Sequence, residues 1–132
     1  MNKYSSGTQW EKLASYCRAR QVGPHIYVAG TTSVDDDGNI VGTGDMAVQF
    51  NQCLDRIEKA LQYFGAELKD VVRTRVYLTR MDLFEEYARE HGRRFKGIEP
   101  VNTMVEISAL VHPDMLVEVE VDAYTSARVS GD

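Results

Sequence analysis

The 132-residue sequence predicts an α+β domain: one mixed sheet with two helices on one face, in the order β-β-α-β-α-β-β. Two observations carry this. Five short runs alternate apolar and polar residues with a period near two, the mark of strands with unlike faces. Two longer stretches repeat apolar residues at spacings of three and four, and each carries one apolar stripe that needs a sheet face to cover it.

Residues 1–14 are expected to form an N-terminal arm, tied down in part by Trp10 and Leu13, ahead of a single domain over 15–132. Ser15 to Gln21 predicts a first strand. Val22-Gly23-Pro24 predicts a turn, because Gly and Pro interrupt two extended runs. His25 to Thr31 predicts the second strand of the hairpin, with Ile26 and Val28 on one face and His25, Tyr27 and Ala29 on the other. Asp35 to Gly38 reads as a further turn, and Ile40 and Val41 as a strand stub.

Asp45 to Phe64 is the clearest helix. Met46, Phe50, Cys53, Leu54, Ile57, Leu61 and Phe64 share one face, Gly44 or Asp45 starts it and Gly65 stops it. Asp70 to Thr79 follows as a strand, with Val72, Thr74, Val76 and Leu78 on one side and Val71, Arg73, Arg75 and Tyr77 on the other. Asp82 is expected to cap a second helix running to about Phe95, with Leu83, Phe84, Tyr87, Ala88, His91 and Phe95 as its stripe. Val101 to Ala109 and Leu116 to Tyr124 are the last two strands, joined by a turn around His112-Pro113-Asp114.

The sheet's second face is unusual. Val117, Val119, Val121 and Ala123 suit the helices, which sends Glu118, Glu120 and Asp122 the other way. On the preceding strand, Val101, Thr103, Val105 and Ile107 are expected to face the helices, and Asn102, Met104, Glu106 and Ser108 to face away with Arg73, Arg75 and Tyr77. Such a face is either solvated and laced with cross-strand ion pairs or a partly covered surface between subunits. Met104 and Tyr77 among the charges favour the second.

Fifteen basic against 20 acidic residues give a net charge of −5, which speaks against a general nucleic-acid binder. Cys17 and Cys53 lack C-x-x-C spacing and read as free thiols in a reducing compartment. No apolar run is long enough to cross a membrane, and Met1 to Lys12 lacks the apolar core of a signal peptide, so a cytoplasmic protein is expected. His25, His91 and His112 are too scattered for a metal site. Asp35-Asp36-Asp37-Gly38 looks like a calcium loop, but Met46 stands where its bidentate Glu belongs.

The ordered set of segments resembles the RidA/YjgF (reactive-intermediate deaminase, "endoribonuclease L-PSP"-like) superfamily over roughly residues 15 to 125. It comprises Val22-Gly23 leading into Ile26-Tyr27-Val28-Ala29-Gly30, then Arg73-Thr74-Arg75-Val76-Tyr77-Leu78, Pro100-Val101-Asn102-Thr103-Met104-Val105-Glu106, and Leu116-Val117-Glu118-Val119-Glu120-Val121-Asp122-Ala123. The resemblance implies a chorismate-mutase-like fold, a homotrimer with three clefts between subunits, and cofactor-free hydrolysis of enamines and imines, such as 2-aminoacrylate, to a keto acid and ammonia. It assigns the water-handling carboxylate to Glu118 and the substrate pocket to Tyr16, Ala29, Gly30, Asn102 and Met104. The family's deaminases hold the substrate carboxylate with an Arg in a Pro-Ala-Arg-Ser/Thr segment, and that position here is Asn102, which marks a divergent branch. The family's Asn on the second helix matches Ala88.

Arg18, beside Tyr16, is the candidate replacement anchor; its bland alternative is a surface Arg. Glu118 has a bland alternative too, an ion pair with Arg73 or Arg75. Cys17 reads as an inert small hydrophobe rather than a nucleophile, and His112 as a possible rim residue. Three functions remain open: an imine or enamine hydrolase with a non-standard substrate, a non-catalytic ligand-binding trimer, and an endoribonuclease or translation inhibitor. The acidic charge disfavours the third.

Overall fold

A computed structural model of the chain describes residues 2–126. Along the chain run β1 (Lys3–Tyr4), α1 (Gln9–Ala14), β2 (Ala19–Val22), β3 (His25–Thr31), α2 (Met46–Tyr63), β4 (Val71–Leu78), α3 (Phe84–Arg94), β5 (Val101–Glu106) and β6 (Val117–Tyr124). Short 3-10 turns precede β4 (Leu68–Asp70) and α3 (Met81–Leu83). The six strands form one sheet in the order β1-β2-β3-β6-β4-β5. Only β4 and β5 are parallel, and α3 makes the crossover between them. The last strand, β6, lies between β3 and β4 and runs antiparallel to both.

The expected mixed sheet is present, with a sixth strand and a third helix contributed by residues 1–14. β1 pairs with β2 at Lys3↔Arg20 and Tyr4↔Ala19. α1 begins with a capping box in which Thr8 and Glu11 satisfy each other's backbone N–H groups. The first expected strand starts later than its apolar pattern suggests, because Ser15 adopts the left-handed conformation (φ 60°) at the end of α1 and the ladder begins only at Ala19. The Val22-Gly23-Pro24 turn joins β2 to β3 as expected, with Gly23 at φ 58°.

α2 matches its prediction closely. Asp45 caps it by accepting from the Val48 N–H at 3.1 Å, and Gly65 follows its end at φ 80°. Met46, Phe50, Cys53, Leu54, Ile57 and Leu61 are fully buried against β3 and β6, where Ile26, Val28, Val117, Val119 and Val121 complete the core. Gln49 is equally buried, and its amide is spent on the main chain: Nε2 donates to the carbonyls of Gly42 (3.1 Å) and Asp114 (2.8 Å), and Oε1 accepts from the Leu116 N–H (2.8 Å). The Leu116 end of that clamp lies immediately before β6, two residues before Glu118.

Three local expectations change. Asp82 does not cap α3: it lies in the preceding 3-10 turn, paired with Arg80, and Leu83 occupies the cap position. In β4 a register shift between Val71 and Arg73 puts Val71 in the core and Val72 outside, while Thr74, Val76 and Leu78 face inward as expected. In β5 the two faces are the reverse of the expected ones. The parallel register pairs Thr74 with Asn102 and Val76 with Met104, so Asn102 and Met104 share the helix face. Val101 and Val105 stand on the other face, 57% and 42% exposed.

Candidate functional site

The sheet face opposite the helices carries a ladder of charged and aromatic pairs. Across β4 and β6, Arg73 faces Asp122, Arg75 faces Glu120 and Tyr77 faces Glu118. Asp122 takes both arginines, with N–O distances of 3.7 Å to Arg73 and 3.4 Å to Arg75. The Tyr77 hydroxyl donates to the Glu120 carboxylate, a bond that with burial raises the phenol to about 12. Glu120 and Asp122 are therefore engaged. Glu118 is not: the expected alternative of an ion pair with Arg73 or Arg75 is not formed, and its carboxylate has no hydrogen-bond or ion-pair partner among the described residues.

Glu118 is placed by a bulge. Between β3 and β6 the pairing jumps from Val28↔Val121 to Thr31↔Val119, leaving Ala29 and Gly30 outside the regular ladder. The freed carbonyls of Ala29 and Gly30 accept from Arg18 Nη2 at 3.2 and 2.6 Å, and the same nitrogen reaches Thr31 Oγ1 at 3.0 Å. Gly30 leaves room for the Glu118 carboxylate, which lies where a Cβ on residue 30 would stand. Desolvation is the largest influence on this carboxyl and raises its pKa; the Arg18 charge opposes it and Glu120 reinforces it. A carboxyl so placed holds a proton more readily than a surface Glu and exchanges one with a neighbouring water or substrate.

Gly30, Glu118, Glu120 and Tyr77 line an open cleft of about 630 Å³, closed on its apolar side by Ile107 and by Ala109 to Val111. No Lys, Arg or His is among its lining residues.

Of the residues expected at the site, the structure brings Gly30 and Glu118 together, with Ala29 in the supporting bulge. Arg18 is neither the surface Arg nor a cleft residue: it is only 9% exposed and braces the bulge from the other side of the sheet. Tyr16 is half-exposed, its ring 5.9 Å from the Arg18 guanidinium. Asn102 and Met104 lie on the helix face, away from Glu118. Asn102 donates to Thr74 Oγ1 (2.9 Å) and accepts from the Tyr87 hydroxyl (3.2 Å), and Thr74 also pairs with His91 Nε2 (2.9 Å). Burial lowers the His91 pKa. Cys53 is fully buried and its thiol is pushed well above the ordinary range by desolvation. Among the described residues no group of His, Cys, Asp and Glu is arranged to hold a metal ion, and no helix is long and apolar enough to cross a membrane.

The cleft residues that sequence reasoning missed are Tyr77, Glu120 and the Ile107–Val111 segment as pocket-forming groups. Alternation placed the first two on the correct face, but nothing local says that the loop after β5 folds over them.

Comparison with known proteins supplies the family. The family profile described as Endoribonuclease L-PSP matches residues 7–125. A solved member of the YjgF/YER057c/UK114 family from Mycobacterium tuberculosis is 44% identical, with a TM-score of 0.84 over 93% of this chain and 98% of that one. A RutC family protein from Sulfurisphaera tokodaii is 34% identical over 83% of this chain and 86% of its own. The 3-aminoacrylate deaminase RutC of Acinetobacter baylyi is 29% identical over 81% and 84%. With a sheet, helices and matched span in common, the chain belongs to the RidA/YjgF family, the group described as Endoribonuclease L-PSP.

Proposed function

We propose that the protein is an imine or enamine hydrolase that uses Glu118 to move protons, acts on a substrate other than the usual amino-acid-derived imines, and works as a cytoplasmic homotrimer with its clefts completed between subunits. The observation that carries this reading is the Glu118 carboxylate, half-buried, unpartnered among the described residues and open to the cleft beside Gly30. The relative that bears the name of a 3-aminoacrylate deaminase supports the reaction class.

The chemistry needs one acid–base group and one water. Glu118 takes a proton from water as the oxygen attacks the imine carbon, and the C=N electron pair moves to nitrogen, which is protonated from the medium. Glu118 next passes the proton it took from water to the carbinolamine nitrogen, making an ammonium leaving group and restoring its own carboxylate. That carboxylate takes the hydroxyl proton as the C–N bond breaks, giving a carbonyl compound and ammonia, and then returns the proton to solvent. An enamine joins this path by protonation at carbon. The raised affinity of Glu118 for a proton suits it to both directions of transfer.

Two carboxylates and no cation line the cleft of a single chain, and Asn102 stands at the family's Arg position. Both features support a substrate that is neutral or positively charged rather than a carboxylate. The same features favour the alternative of a trimer that binds a ligand without turning it over. They weigh against an RNA substrate, whose phosphates two carboxylates repel. The trimer reading draws on exposed Val101 and Val105 beside the partly covered Arg–Asp and Tyr–Glu pairs, which is the composition of a subunit contact. Free Cys17 and Cys53 fit a reducing cytoplasm.

The test is a panel of imines freshly generated from amines and amino acids by an oxidase, with ammonia release followed. Glu118→Gln keeps the side-chain volume and is expected to reduce turnover by roughly 100- to 10,000-fold. Glu120→Gln, whose carboxylate is already engaged by Tyr77, is the comparison variant and is expected to matter far less. Full turnover in Glu118→Gln refutes the mechanism. Binding of a panel member without turnover in the native protein favours the ligand-binding reading.

A further inference from the structure

On the helix side of the sheet, a separate cavity of about 340 Å³ opens between the N-terminal segment and α2. We propose that this cavity is a second binding site, taking a small oxyanion (a carboxylate or a phosphate group) between the guanidinium groups of Arg18 and Arg56. Arg18 also braces the bulge beside Glu118, but the inference does not rest on the hydrolase reading, because it is tested by anion binding and not by turnover.

Arg18 and Arg56 both line the cavity, with Lys59 at its rim. Arg18 is 9% exposed and Arg56 is half-buried. Neither forms an ion pair among the described residues. Arg73, Arg75, Arg80, Arg89, Arg93 and Arg94 all do, and the one other unpaired arginine described, Arg20, is exposed. Taking a guanidinium out of water without a counter-charge is unfavourable, and placing two beside each other is more so. Burial, the largest influence, and the Arg18 charge lower the proton affinity of Arg56, while Cys53, Glu11 and Tyr4 act the other way without cancelling the shift.

Each guanidinium has donors to spare. Arg18 uses only Nη2, on the Ala29 and Gly30 carbonyls and Thr31 Oγ1, and Arg56 uses only Nη1, on the Thr32 carbonyl at 2.7 Å. Nε and the second terminal nitrogen of each have no partner among the described residues. The fork geometry of these donors matches a carboxylate or a phosphate.

Two acids reach the arginines electrostatically, Glu118 toward Arg18 and Glu11 toward Arg56, but neither forms an ion pair with them. Glu11 accepts from the hydroxyls of Ser5 (2.5 Å), Ser6 (2.6 Å) and Thr8 (2.8 Å) and from the Ser6 and Thr8 amides, both at 3.2 Å. Asp35 Oδ1 holds the Asp37 and Asn39 amides of its own turn, each at 2.9 Å. Asp36 is exposed. The positive charge facing the inner cavity is thus left to an incoming anion.

The experiment titrates the full chain with inorganic phosphate and, separately, with malonate, against sodium chloride at matched ionic strength. The thermal midpoint and the Arg Nε–Hε resonances are both read. A midpoint rise beyond that of chloride, with saturable shifts of the Arg18 and Arg56 resonances, is the expected result. Arg56→Gln should weaken the binding by about tenfold or more, the scale of one lost charged hydrogen bond. Response to phosphate alone identifies a phosphate ester as the source, and response to malonate alone a carboxylate metabolite. Failure of both anions to move the two resonances overturns the proposal, as does an unchanged affinity in Arg56→Gln. Should that variant not fold, the resonances of the native chain decide the matter together with Lys59→Gln, which is expected to weaken binding less.

Discussion

The Glu118 carboxylate fills the space that a side chain on Gly30 would occupy. A Cβ built on Gly30 comes within 2.9 Å of Glu118 Cδ and 3.3 Å of its Cγ, and nearer still to Oε2. The bulge in β3 and the acid on β6 are therefore matched parts, and the glycine is there for the approach of the carboxylate rather than for a positive φ.

Gly30→Ala separates placement from presence. The clashing atoms are the far end of a flexible side chain, so the carboxylate swings aside and stability changes by less than about 1 kcal/mol. Displacing the acid by roughly an ångström is expected to lower turnover about 100-fold. Denaturant unfolding and ammonia release check the two halves; unchanged turnover would show that the position of the carboxylate does not matter.

Glu118 also predicts a pH-dependent stability. Its folded pKa is raised by desolvation above the ordinary value of 4.5, so the folded state binds the proton more tightly than the unfolded chain. The contribution is fully present below the unfolded pKa and is lost as pH rises through the folded one. Glu118→Gln, which cannot ionise, is expected to melt higher than the native protein at pH 7 and to lose that advantage near pH 4. Melting curves across that range test it, and a variant less stable at pH 7 contradicts it.

Glu11 runs the other way. Burial pushes its carboxyl up, but the hydroxyls of Ser5, Ser6 and Thr8 and the Thr8 amide outweigh that and hold it at about 2. A depressed carboxyl contributes stability that is present above the unfolded value of 4.5 and disappears as pH falls toward about 2. Glu11→Ala removes the acceptor for three hydroxyls and is expected to cost about 1–3 kcal/mol at pH 7. Hydrogen exchange should rise first in the segment 2–14, and the deficit should shrink in acid.

The proposed trimer predicts a mass of about three times the 14.9 kDa chain by light scattering. Val105→Asp places a charge among Arg75, Tyr77 and Val101 on the exposed sheet face and should shift the population toward smaller species while leaving the monomer core intact. A clean native monomer removes the shared cleft.

The local elements of this chain were legible from residue order alone. The apolar spacing from Met46 to Leu61, the Asp45 cap, the Gly65 stop and the Val22-Gly23-Pro24 turn each depend on residues a few positions apart, and each stands as read. The alternation of β6 was also enough to send Glu118 away from the core, because Val117, Val119 and Val121 on the other side admit only one inward face. The same logic misread β5. Its valines looked like core, yet the parallel pairing with β4 turns Val101 and Val105 outward and brings Asn102 to Thr74 and Tyr87. Alternation shows that a strand has two unlike faces; only its register against a neighbour distant in sequence decides which face the helices cover. For the same reason the bulge under Glu118, the Gln49 clamp at the start of β6 and the paired guanidiniums of Arg18 and Arg56 belong to the tertiary structure: each joins residues from 13 to 88 positions apart or more than one element, and no local propensity encodes their meeting.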